Sequence, residues 1–193
     1  DWGMAFTEGD RQQFAADVII TERGNFSAAL NHLIDTGAAE SAQRLATAHW
    51  RYWLANGGVP EGLRWLLRVL DLAPTDTVTP ARAAALQAAG DLTEVNGDLP
   101  GARDLLLQAA DAFTQLDERL RLASVWNSLA LVERELGELD AAEQHHRDAL
   151  DVFVAAGERR SQAVSLNGLG VVAWRRGDYL AAGEHYAAAL EHL

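Results

Sequence analysis

Four glycines recur at intervals of forty residues in this chain of 193, and each is followed by similar sequence: Gly57, Gly97, Gly137 and Gly177. An apolar residue always comes two positions after the glycine, and a small residue always comes five positions after it. A constant period of this length is typical of a solenoid, in which each unit buries its apolar face only against its neighbours. The repeat therefore predicts a binding surface rather than a catalyst.

Each forty-residue unit is predicted to be a helical hairpin. In the third unit, apolar residues recur every three to four positions over residues 118–136, as in an amphipathic helix. Gly137 is expected to end this helix, because glycine adopts the left-handed conformation at little cost. A second helix over about residues 139–155 is expected to end at Gly157.

Capping signals mark where helices start. Asp98 and Asp178 directly follow their glycines and are predicted to cap the second helices of two units. Thr79 before Pro80 is predicted to cap the first helix of another unit. We therefore predict an irregular N-terminal segment with a degenerate helical pair over residues 1–37, with helices over 10–20 and 25–36. Four units follow, over residues 38–78, 79–117, 118–157 and 158–193.

The expected fold is all-α: a right-handed superhelical solenoid of antiparallel helix pairs, with about ten helices. The chain starts at Asp1 without an initiator methionine and ends within a predicted helix, so we expect it to be part of a longer protein. Among the tryptophans, Trp50, Trp53 and Trp126 are predicted to lie in the core. Trp2 and Trp174 are predicted to be exposed.

The composition excludes several classes of function. A net charge of −12 disfavours direct binding to a nucleic-acid backbone. The chain has no cysteine, which excludes disulfides and thiolate metal sites and is consistent with a cytoplasmic location. No apolar run is long enough to cross a bilayer, and no signal peptide is present, so no membrane contact is expected.

No catalytic or cofactor-binding motif is present. The sequence lacks a phosphate-binding loop, a nucleophile elbow and a His-Glu-x-x-His motif. The adjacent His145 and His146 point about 100° apart on a helix, which makes joint metal binding difficult. His146 is instead predicted to pack in the apolar slot of its unit. We predict no enzyme activity, no cofactor and no metal.

The last unit carries the most specific motif. Its hexapeptide Gly-Asp-Tyr-Leu-Ala-Ala from Gly177, with Tyr186 and the pair Ala189–Leu190, resembles the tetratricopeptide repeat. Leu169–Gly170 and Trp126 also match positions of that family. The commonest unit of the family has 34 residues, so this chain resembles its longer, forty-residue variety. The resemblance covers residues 38–193 well and residues 22–36 weakly, and it implies protein or peptide recognition.

A narrower resemblance concerns residues 23–30, 42–53 and 61–74. These are similar to the segment that follows the nucleotide-binding module in bacterial signalling-ATPase transcriptional regulators. The resemblance implies the sensor or interaction arm of a cytoplasmic regulator. The ATPase and DNA-binding modules of such a protein are absent from this chain.

A partner-binding groove is predicted on the first helices, which line the concave wall of such a stack. Asn127 and Asn167 occupy the same inward position in successive units, where an asparagine of this family often holds a peptide main chain. Arginines add positive charge, and their guanidinium groups can form two parallel hydrogen bonds with a carboxylate. The predicted ligand is an extended or helical protein segment of acidic character, held by Arg51, Gln87, Asp91, Asn127, Leu131, Arg134, Asn167, Val171, Trp174 and Arg175.

Three alternatives remain open at this point. The asparagines could bond only to neighbouring helices, and the arginines could pair with Asp91, Glu94 or Glu135. The same fold could instead bind a small effector in an enclosed pocket. A third possibility is self-association into a homodimer through the uncapped C-terminal hairpin, which carries Tyr179, Tyr186 and Leu190.

Overall fold

The computed structural model describes residues 24–74 and 76–192. These ranges contain helices and turns but no strand, which confirms the all-α fold. The predictions for residues 1–9 and 10–20 and for Trp2 lie outside the described residues. The described helices are α1 over 24–35, α2 Ala39–Ala55, α3 Val59–Leu70, α4 Pro80–Val95, α5 Leu99–Gln115, α6 Arg119–Leu136, α7 Leu139–Ala156, α8 Arg159–Arg175 and α9 Tyr179–Leu190.

The helices from α2 onward stack as consecutive hairpins. Each packs against its successor in the chain, and α2, α4, α6 and α8 also contact one another in series. The first helices of the hairpins therefore form one layer, and the second helices α3, α5, α7 and α9 form the other. This is the architecture of a helical solenoid. The division into an N-terminal segment and four units stays a prediction.

Residues with positive φ end the helices at a spacing of twenty residues, half the period visible in the sequence: Gly37, Gly57, Gly97, Asp117, Gly137, Gly157 and Gly177. The predicted left-handed ends at Gly137 and Gly157 are confirmed, with φ of 83° and 72°. Asp117 takes the same conformation with φ 53°, although it carries a side chain. Position 77 would continue the series, but it lies in the longer connection between α3 and α4.

The predicted N-caps are also confirmed. A carboxylate oxygen of Asp98 accepts a hydrogen bond from the backbone N–H of Gly101 at 3.0 Å, and Asp178 accepts one from Ala181 at 3.0 Å. The hydroxyl of Thr79 accepts from the N–H of Arg82 at 3.1 Å. These bonds satisfy backbone donors that have no partner within the first turn of a helix.

The core runs between the two layers. The slot nine residues after the repeat glycine holds Leu66, Leu106 and His146, all of which are buried. Trp53 is buried as predicted, and Trp50 and Trp126 are half-buried against the core. Gly170 faces the ring of Tyr186 so closely that an added Cβ would lie 2.5 Å from the ring. Small residues thus let neighbouring helices approach each other.

Candidate functional site

The four first helices line a shared concave cavity of about 440 Å³. A smaller hollow of about 150 Å³ adjoins it along α2, α4 and α6 and shares five of its lining residues. The cavity is lined by Trp50, Arg51, Gln87, Asp91, Ser124, Asn127, Ser128, Leu131, Arg134, His146, Phe153, Ser161, Val164, Asn167 and Gly168. Only His146 and Phe153 come from a second helix, α7.

Seven of the ten predicted groove residues meet at this cavity: Arg51, Gln87, Asp91, Asn127, Leu131, Arg134 and Asn167. The other three do not line it. Val171 is half-buried, Trp174 is 55% exposed, and Arg175 pairs with Glu135 at 3.0 Å. The structure thus places most of the predicted residues together, while their role in binding stays a prediction.

Eight residues outside the predicted set also line the cavity: Trp50, Ser124, Ser128, His146, Phe153, Ser161, Val164 and Gly168. One pattern in the sequence could have added some of these residues to the predicted groove. The residue nine positions before each repeat glycine is small in every unit: Ala48, Ala88, Ser128 and Gly168. Ser128 and Gly168 border the cavity, and Ala88 borders the adjoining hollow. At Gly168 the lack of a side chain lets the His146 ring pack against the helix backbone.

A buried polar network lies beneath the centre of the cavity. The amide nitrogen of Asn127 donates to the Ser165 hydroxyl at 2.9 Å, which places α6 and α8 in register. The amide oxygen of Asn127 accepts from Nδ1 of His146 at 2.8 Å. For Asn127, therefore, the contacts match the alternative of bonding between neighbouring helices. Asn167 is exposed and has no such bond among the described residues.

His146 is neutral and holds an unused acceptor. Burial lowers the pKa of His146 to about 4, and the charges of Arg134 and His145 add to this effect. With its proton on Nδ1, the ring leaves Nε2 as a bare acceptor, and this atom has no partner among the residues described. The ring packs against Gly168, where an added Cβ would lie 2.3 Å from it.

The charged side chains of the groove are largely paired. Arg134 and Arg175 both bond to the carboxylate of Glu135, at 2.9 and 3.0 Å. Although burial opposes the effect, these bonds hold the pKa of Glu135 below its usual value. The Arg51 guanidinium lies 5.3 Å from the centre of the Trp50 ring. For Arg134 and Arg175, the predicted alternative of pairing with Glu135 is therefore present.

Asp91 is the most strongly perturbed acid of the groove. Burial raises its pKa to about 6, while a hydrogen bond with Ser128 opposes the increase. The neighbouring Glu94 raises the pKa further, and Arg51 lowers it. Asp91 therefore changes charge near neutral pH, on a wall that also carries an arginine.

No group of metal-ligating side chains large enough to hold an ion occurs in the described part of the chain. Over the same residues, no helix is both long and apolar enough to span a membrane. The stacked hairpins and their concave cavity define a helical-repeat interaction scaffold.

Comparison with known sequences identifies the family. The profile of the tetratricopeptide repeat matches residues 81–153 and again residues 121–193, which together make up more than half of the chain. The chain belongs to the tetratricopeptide repeat family. A search of curated proteins found no matching relative.

Solved structures share the fold at low sequence identity. BtubC (BKLC) from P. vanneervenii matches with a TM-score of 0.75 at 16% identity, over 95% of this chain and 80% of its own. A putative kinesin light chain with nearly identical TPR-like repeats from Podosopora anserina gives 0.62 at 17%, over 98% and 97%. MamA from Desulfovibrio magneticus RS-1 gives 0.58 at 15%, over 88% and 93%.

Proposed function

We propose that the chain is a non-catalytic scaffold that binds a protein or peptide segment along the concave cavity. The observation that carries this proposal is that the first helices of four successive hairpins contribute to one cavity. Such a surface spans the repeats and suits an elongated ligand. The apolar Trp50, Leu131 and Val164 would contact side chains, and the exposed Asn167 would bond to the main chain.

The charge of the groove supports a ligand of acidic character. The whole chain carries −12, but in and beside the cavity three arginines balance three carboxylates: Arg51 and Arg134 with Asp91 line it, and Arg175, Glu94 and Glu135 lie outside its lining. Two guanidiniums share the single carboxylate of Glu135, so a ligand carboxylate could take over one of them. The groove thus repels an acidic segment less than the rest of the surface does.

The proposal is testable with peptides selected from a phage-displayed library on the immobilised chain. Leu131→Glu places a charge in the cavity at a residue that is already 37% exposed. We expect the affinity of a selected peptide to fall at least about tenfold, measured by fluorescence anisotropy. Leu107→Glu is the matched control, because Leu107 is 50% exposed on α5 and does not line the cavity. Equal affinity for both variants would refute the proposal.

A small effector is the second candidate ligand, because 440 Å³ lies within the range of small-molecule sites. The exposed Asn167 and the hydroxyl of Ser128 give this cavity donors and acceptors for the polar groups of such a ligand. Thermal-shift screening with a library of polar metabolites tests this alternative. A metabolite that stabilises the wild type but not Asn167→Ala would support it.

We also propose a cytoplasmic bacterial signalling or transcription regulator as the parent of this chain, with the groove on its interaction arm. The support is the resemblance of residues 23–30, 42–53 and 61–74 to the arms of such regulators. The full reading frame tests this assignment. A frame that encodes neither an ATPase nor a DNA-binding module would refute it.

Self-association through the last hairpin is a third candidate, and one observation favours it. Tyr179 and Leu190 are 68% and 71% exposed, whereas Leu139 and Leu150, forty residues earlier, are half-buried. Light scattering at about 100 µM tests the oligomeric state. A dimer that Leu190→Glu converts to a monomer would support this role, and a monomeric wild type would refute it.

A further inference from the structure

A buried guanidinium lies on the face of α4 that points away from the concave cavity. Arg82 is 5% exposed, and its Nη1 donates to the main-chain oxygen of Leu70 at 2.7 Å. Arg82 and Asp91 are nine positions apart, which places them about 180° apart around the helix. Arg82 is therefore separate from the groove proposed above.

Most N–H donors of the Arg82 guanidinium are not used in hydrogen bonds within the described residues. Over residues 24–74 and 76–192, its side chain makes the one hydrogen bond to Leu70 and no ion pair. A guanidinium carries five N–H donors and does not lose its charge in proteins. A buried charge is normally paired, because taking it from water is costly. The side chain thus lacks an anionic partner.

The free donors open onto a second cavity. This outer cavity has a volume of about 510 Å³ and is lined by Leu67, Leu70, Asp71, Leu72, Ala73, Pro74, Arg82, Leu86, Leu105 and Gln108. None of these residues lines the concave cavity. The other guanidinium nitrogens are not among the sealed, unpartnered polar atoms, so they are accessible, and Arg82 lines this cavity. One fixed positive charge therefore lines a cavity whose other lining residues are mostly apolar, with Asp71 as the one carboxylate among them.

A matched position shows that the bond to Leu70 does not need a charge. Gln162, two repeat periods later, is 7% exposed and donates to the main-chain oxygen of Phe153 at 3.0 Å. Leu70 is the last residue of α3, and Phe153 lies in the last turn of α7, so a neutral amide makes a similar bond to the end of a second helix there. The positive charge of Arg82 is therefore additional to its structural role.

We propose that the outer cavity binds a small molecule with one carboxylate and an apolar body. Arg82 would fork onto the carboxylate, and the leucines of α3, α4 and α5 would cover the apolar part. Asp71 borders this cavity, and Asp76 and Asp111 border a smaller hollow that also contacts Arg82. These acids repel a phosphate or another polyanion more strongly than a ligand with a single negative charge, which is why the proposed ligand is a monocarboxylate.

Octanoate and 4-phenylbutyrate are suitable probes, with octan-1-ol and 4-phenylbutan-1-ol as uncharged matches. Titration into the labelled wild-type chain, followed by amide NMR spectra, is expected to give saturable shifts over residues 67–74, 82–86 and 105–108. The alcohols are expected to bind at least about tenfold more weakly. The absence of saturable shifts up to about 10 mM, or shifts confined to the concave cavity, would overturn the proposal.

Arg82→Gln separates the two roles of the arginine, because it copies Gln162. This variant is expected to keep the midpoint of thermal unfolding within a few degrees and to weaken octanoate binding at least about tenfold. Gln162→Ala is the control that should leave binding unchanged. Unchanged octanoate affinity in Arg82→Gln would refute the role of the charge. If Arg82→Gln unfolds, the comparison of acid with alcohol in the wild type still decides the question.

Discussion

Replacing His146 by leucine should change how the stability of the chain depends on pH. Leucine fits the slot, because Leu66 and Leu106 occupy the same position in earlier units and are fully buried. Burial lowers the pKa of His146 from 6.5 to about 4. Between these values the unfolded chain binds a proton that the folded chain does not, so acidification removes stability.

The size of this effect follows from the two pKa values. The difference between 6.5 and about 4 corresponds to about 3 kcal/mol at full extent, of which about 2 kcal/mol is lost between pH 7 and 4.5. Asp91 acts in the opposite direction, because its folded-state pKa is raised from 3.8 to about 6. The folded chain then binds the extra proton, and acidification over this window adds about 2 kcal/mol.

In the wild type, the effects of His146 and Asp91 on the pH dependence of stability therefore largely cancel. We expect His146→Leu to gain about 2 kcal/mol of unfolding free energy relative to the wild type when the pH falls from 7 to 4.5. Asp91→Asn should lose about as much relative to the wild type over the same interval. Both changes in unfolding free energy can be measured by urea unfolding followed by circular dichroism, and equal m-values would show that the transitions are comparable. Parallel pH profiles for the three proteins would refute the reasoning.

Two further predictions concern helix ends and helix contacts. Asp117→Gly should stabilise the chain by about 0.5–1 kcal/mol, because the left-handed conformation costs an ordinary residue more than the added chain entropy of glycine; a lower urea midpoint would contradict this. Gly170→Ala should destabilise the chain by about 1 kcal/mol, because the new methyl group would meet the ring of Tyr186. Gly183→Ala should stabilise it by about 1 kcal/mol, because Gly183 lies in open space on α9 and alanine favours the helix. Equal effects of the two substitutions in thermal unfolding would show that the Tyr186 contact is unimportant.

The sequence predicted the helices closely because their ends are decided locally. The third hairpin was predicted over 118–136 and about 139–155, and its helices are Arg119–Leu136 and Leu139–Ala156. A left-handed glycine and a capping oxygen act within one turn, so they can be read from neighbouring residues. The left-handed end at Asp117 was missed because positive φ is uncommon for any residue other than glycine.

The site could be predicted only in outline. Helical spacing identified the inward face, and seven of the ten predicted residues line the cavity. Spacing could not show that Arg134 and Arg175 share Glu135, because this contact joins residues forty positions apart on different helices. It also could not show that the Asn127 amide is already bonded to Ser165 and His146.

The amino-acid sequence by itself determined the forty-residue unit, its two helices and the face that each helix buries, because these depend on side-chain spacing and on caps within a turn. Only the tertiary structure decided which polar groups meet across helices. It left Nε2 of His146 without a partner and buried the charge of Arg82 beside an apolar cavity. Burial and pairing depend on how the hairpins stack, and no local pattern contains that information.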